Sequence, residues 1–174
     1  MRCIITGVVL STVVLSMAGC SNELSNPAPH NAAARVAANL SSLGPQIPPF
    51  NLQVILRGDG FGLVKFRQPN DADKTIFLDT WLRDLEPNTS YLLQRAVDTN
   101  VDGDCTSTAW LTLGKGLVPQ AITTDATGTG REELFRSVAA IADGARFDIQ
   151  FRVINATTQA VVLTSGCYEY AVNP

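Results

Sequence analysis

From Phe50 onward, short apolar runs alternate with polar breaks, and their period is two residues rather than 3.6. In Thr75–Leu85, Ile76, Leu78, Thr80 and Leu82 fall on one face, and Phe77, Asp79, Trp81 and Arg83 on the other. The Ile/Leu face is the side expected to meet a core. In Arg146–Ile154, Phe147, Ile149, Phe151 and Val153 oppose Asp148, Gln150 and Arg152, which predicts a half-exposed strand with an apolar inner face. The same reasoning predicts strands over Asn51–Arg57, Gly62–Gln68, Thr75–Leu85, Ser90–Val97, Gln120–Thr124, Gly130–Val138, Arg146–Ile154 and Ala160–Val172, the last interrupted near Gly166. Gly58-Asp59-Gly60, Glu86-Pro87-Asn88 and Asp125-Ala126-Thr127-Gly128 supply turns, because these residues tolerate or preset the backbone angles a tight reversal needs. No long amphipathic helical pattern is present. Eight strands within residues 50–174 predict one all-β domain, a Greek-key sandwich or barrel large enough to bury a core.

The first 49 residues follow different rules. Arg2, an apolar run from Ile4 to Leu15 and the small residues Ala18 and Gly19 form a secretory signal, too short for a comfortable membrane span. Met17-Ala18-Gly19-Cys20 resembles a bacterial lipobox, with Met where Leu is commoner. That resemblance implies removal of residues 1–19 and acylation of Cys20; a plain secretory signal cut elsewhere is the alternative. Ser21, in place of an aspartate, implies sorting to the outer membrane. Residues 20–49, rich in Asn, Ser, Ala and Pro, read as a flexible lipidated tether with a reach of roughly 30 Å.

Charge narrows the partners. The net charge is −3, and the basic residues are scattered singly, as at Arg57, Lys65, Arg83 and Arg152. Without a basic stripe, nucleic acid is a poor partner, and the expected contacts are the membrane through the anchor and an unknown protein or glycan. Cys3 leaves with the signal and Cys20 carries lipid, so Cys105 and Cys167 read as a single disulfide, with free or metal-binding thiols as the alternative.

One stretch carries candidate metal chemistry. Asp98, Asn100, Asp102 and Asp104, with Gly103 at the sixth position, match the opening of a calcium loop, which needs hard oxygen donors at that spacing. Position twelve is Ala109, where the bidentate glutamate would stand. The competing reading is a polar loop whose side chains bond nearby amides beside the disulfide. Trp81, Trp110, Tyr168 and Tyr170 suit either a carbohydrate or peptide site or simple packing. The carboxylate pairs Glu132/Glu133 and Asp102/Asp104 are poor acid–base couples, since adjacent strand residues point apart and loop aspartates are solvated.

In order along the chain, several motifs resemble the copper/zinc superoxide dismutase family: Ile55-Leu56-Arg57-Gly58-Asp59-Gly60 followed by Val64, Phe66 and Gln68; Leu85-x-Pro87; Asp102-Gly103 and Cys105 with Thr106 and Ser107; Ile122-Thr123-Thr124-Asp125 with Gly128; and Cys167 near the end. The resemblance implies that family's eight-stranded Greek-key barrel and a disulfide joining these two cysteines. The departures from that family's pattern lead to the expectation of no copper or zinc and no dismutase activity. The one histidine, His30, lies in the tether, and Tyr91–Arg95 offers no imidazole where the copper ligands would stand. The zinc loop is reduced to Trp110–Gly116, the charged guide loop to Asn155–Gln159, and Thr164 stands in place of the family's arginine. The expected role is a non-catalytic envelope lipoprotein with a binding or structural β-domain. The alternatives are a calcium-binding or enzymatic member of the same fold, and assembly through an exposed strand edge.

Overall fold

The computed structural model describes residues 51–173; the expected signal, Cys20, the tether and His30 lie outside them. The described residues contain strands and no helix. The long strands are β1 (Asn51–Gly58), β2 (Phe61–Arg67), β3 (Thr75–Arg83) and β4 (Ser90–Asp98). Four two-residue pieces follow: β5 (Leu111–Thr112), β6 (Gly114–Lys115), β7 (Val118–Pro119) and β8 (Ile122–Thr123). The set is completed by β9 (Gly130–Ser137), β10 (Arg146–Asn155), β11 (Val161–Ser165) and β12 (Tyr168–Ala171). The interruption expected near Gly166 separates β11 from β12, and both pair with β10. The strand expected over Gln120–Thr124 shrinks to β8, which makes a short ladder with Ser90 and Tyr91.

The sheet runs β5-β4-β10-β11-β1-β2-β3-β9-β6-β7, curling into a nearly closed barrel. Closure depends on Leu111–Gly116, a segment with no strand signal of its own. Its first half pairs with β4, Thr112 opposite Gln94 and Leu111 opposite Arg95. Its second half lies parallel to β9, Lys115 opposite Phe135. Between them the Leu113 amide donates to the Leu93 carbonyl at 2.8 Å, and the Gly116 amide donates to the Phe135 carbonyl at 3.0 Å. Gly114 is required at the crossing, because a Cβ there would lie 1.8 Å from the Val118 carbonyl oxygen. One hexapeptide therefore satisfies backbone groups on two strand edges that would otherwise be open.

The core follows the alternation in the sequence. Ile76, Leu78, Thr80 and Leu82 are all buried, as are Val54, Leu56, Leu134, Phe151, Val153 and Leu163. Phe66 packs edge-on against Tyr170 and Phe151, at 4.7 and 6.4 Å between ring centres. The polar face of β10 departs from expectation: Asp148 is buried, at 1% exposure, because the loop after β4 lies across it.

Leu113, at 2% exposure, ties the seam to the core. Leu113→Ala is expected to lower the unfolding free energy by about 2–4 kcal/mol, combining lost burial and a residual cavity. Leu117→Ala, at the 81%-exposed tip of the same excursion, should change it by less than about 0.5 kcal/mol. Chemical denaturation midpoints at unchanged slope measure both.

Candidate functional site

The aspartate-rich loop turns its carboxylates toward its own backbone. Asp98 Oδ2 accepts from the amides of Thr106 and Ser107, at 2.9 and 3.0 Å. Asp102 Oδ1 accepts from the Asp104 amide at 3.0 Å, and Asn100 donates to the other oxygen of Asp102. Asp148 reaches up from β10, its Oδ2 accepting from the amides of Asp102 and Gly103 at 2.9 and 2.7 Å. Gly103 takes a φ of +85°, which favours glycine. Gln150, two residues along β10, donates to the Cys105 and Ser107 carbonyls. Cys105 is bonded to Cys167, with the two Cα atoms 5.4 Å apart. Asp98, Asn100, Asp102 and Asp104 thus share one loop, but the first three are committed to protein partners. Among the described residues, no group of three or more His, Cys, Asp or Glu is arranged to hold a metal ion.

Beside this loop, the outer face of β4 and β10 carries a second polar cluster. Arg152 Nε donates to Gln94 Oε1 at 2.7 Å, and Gln94 Nε2 donates to Thr112 Oγ1 at 2.9 Å. The Arg152 guanidinium lies 4.1 Å from the Trp110 ring centre, a cation–π contact. Burial draws the Arg152 pKa below its ordinary value.

The inner face holds the residues that pattern reading passed over. Along β4, Tyr91 and Leu93 point into the barrel, and Arg95 follows in the same phase. Along β9, Leu134 and Val138 are buried in phase with Arg136. Arg95 and Arg136 both line a cavity of about 280 Å³ at the end of the barrel where β4 and β9 finish. Its walls are otherwise largely apolar, with Phe66, Leu78, Ile141 and Phe147 among them, and Ser137 and Tyr170 bring hydroxyls to the lining. Burial first, and then the positive charge of Arg136, hold the Arg95 pKa below its usual value. Five ion pairs occur among the described residues, and neither arginine belongs to one. The visible signal was an arginine in the apolar phase of two strands.

The four aromatic candidates do not form one site. Trp81 is 38% exposed and packs edge-on to Phe61 under Arg83. Trp110 lies against Arg152. The Tyr168 hydroxyl accepts from the Ile55 amide at 3.2 Å. Tyr170 is buried, and its hydroxyl donates to Gln68 Oε1, which also accepts from the Asn173 amide at 2.9 Å. Glu132 pairs with Lys115 at 2.9 Å, whereas Glu133 is exposed on the opposite face of β9.

No protein-family model matches this chain, and no curated protein matches it.

Asp148→Ala removes the acceptor of two loop amides and is expected to cost about 3 kcal/mol. Asp104, whose side chain makes no hydrogen bond among the described residues, provides the contrast: Asp104→Ala should stay within about 0.5 kcal/mol of the parent. Denaturation at fixed pH, with amide exchange read at Asp102 and Gly103, measures the difference.

Proposed function

We propose that the chain is a non-catalytic, lipid-anchored cell-envelope protein, carried on Cys20 to the outer membrane, whose β-barrel works as a binding module. The observation supporting the binding reading is the cavity at the end of the barrel. Its polar lining consists of two guanidiniums and the hydroxyls of Ser137 and Tyr170, groups that hold a ligand but do not exchange protons near neutral pH. A Ser-His-Asp or Cys-His arrangement needs an imidazole, and residues 51–173 contain none.

The finer fold reading belongs to the same proposal: an eight-stranded Greek-key barrel of the superoxide-dismutase kind. Support comes from the order β1-β2-β3-β9 on one side and β4-β10-β11 on the other, with β8 against β4, and from the bond between Cys105 and Cys167. Within that reading, the amide–guanidinium cluster at Gln94 and Arg152 argues against a copper centre, since the guanidinium's positive charge repels a cation.

Anchoring is tested by acyl labelling: radiolabelled palmitate should enter the parent chain, disappear with Cys20→Ser, and fractionate with the outer membrane. Label retained in Cys20→Ser would overturn the anchor.

The loop from Asp98 to Asp104 is read as structural, with calcium binding as the second reading. An ion bound to the native state raises the melting temperature with its concentration. Titrating calcium, copper or zinc should move the midpoint by less than about 1 °C. A rise that grows with added ion would favour the metal-binding reading.

A further inference from the structure

Arg95 and Arg136 are half-buried, line one cavity, and belong to no ion pair among the described residues. A charged group on the core-facing side of a strand is rare unless paired. Arg95 and Arg136 approach the same cavity from opposite sides of the seam, and no carboxylate perturbs Arg95. The tyrosine hydroxyl at the cavity wall is already committed to Gln68. Two guanidiniums without a carboxylate partner at one cavity are complementary to an anion. Guanidinium forks match a carboxylate in two-point geometry, which a single ammonium would not.

The remaining lining selects what the anion is attached to. Phe66, Leu78, Ile141, Phe147 and Phe151 surround the space with carbon. The cavity, about 280 Å³, has room for an acyl chain of medium length beside the arginines. A small inorganic anion would leave the apolar wall unfilled.

We infer that this cavity is a binding site for a medium-chain fatty carboxylate, its chain among the aromatic and aliphatic walls and its carboxylate between Arg95 and Arg136. The inference rests on the binding-module reading and adds the ligand class. The arginines then explain each other, since the bound anion removes the repulsion between them.

The test uses the chain from residue 20 with Cys20→Ser, so that the tether is present and the protein is soluble. Calorimetric titration with hexanoate, octanoate, decanoate and dodecanoate should show one site. The dissociation constant for decanoate should be on the order of 10–100 µM. Affinity should rise about fourfold per added methylene until the cavity is full. Decanol and inorganic phosphate should bind at least tenfold more weakly than decanoate. Arg95→Gln and Arg136→Gln should each weaken decanoate about tenfold or more while leaving decanol unchanged. Neither change breaks an ion pair among the described residues, and a melting curve for each confirms folding.

Equal affinity for decanol and decanoate, or no response to either arginine change, would overturn the inference. So would an absence of saturable binding, including occupancy of the cavity by residues 20–49 of the chain itself. Sedimentation with anionic phosphatidylglycerol vesicles but no binding of monomeric decanoate would show a surface attraction and overturn it as well. Each of these failures leaves the acyl labelling of Cys20 unaffected, so loss of the ligand and loss of the anchor are distinguishable.

Discussion

Barrel closure rests on six residues. β4 and β9 would each expose a row of backbone donors and acceptors, and Leu111–Gly116 satisfies part of both by changing partners halfway. The crossing is possible because Gly114 lets the chain pass tightly beside Val118, and it is held because Leu113 is buried in the core between the two edges. Everything placed by the seam follows from it, including the approach of Arg95 and Arg136 from opposite strands. A barrel lacking this segment would be an open sheet with two unprotected edges.

Around that seam the two surfaces of β4 and β10 are built by different chemistry. The outer surface is covered by a loop that packs little carbon and is held instead by directed hydrogen bonds. Asp98, Asp148 and Gln150 between them bind the amides of residues 102, 103, 106 and 107 and the carbonyls of 105 and 107. Charged acceptors of backbone amides make the stronger class of hydrogen bond, so a loop without a hydrophobic face can still be ordered. The Cys105–Cys167 bond adds a restraint on the unfolded chain over a separation of 62 residues.

The inner surface is uneven from end to end. Around Leu56, Leu82, Ile122 and Leu163 the side chains are fully buried. At the other end, the phase that should supply aliphatic side chains supplies arginines, and a cavity takes the place of packing. The guanidiniums reach the cavity from β4 and β9, whose other inward side chains, Tyr91, Leu93 and Leu134, are buried in the core, so Arg95 and Arg136 are borne on strands rather than loops.

Alternation along the chain was enough to locate the long strands, the turns and the inner face of β3, because burial on one side of a pleated strand imposes a period of two. It also placed the break near Gly166 and left open whether the aspartate loop served a metal or its own backbone. Strand order, the burial of Asp148, the closure by Leu111–Gly116 and the meeting of Arg95 with Arg136 were not legible, since each depends on partners more than ten residues away. A period of two says which way a side chain points. Only the folded chain says what waits there: a covering loop over Asp148, and a cavity instead of a carboxylate before the two arginines.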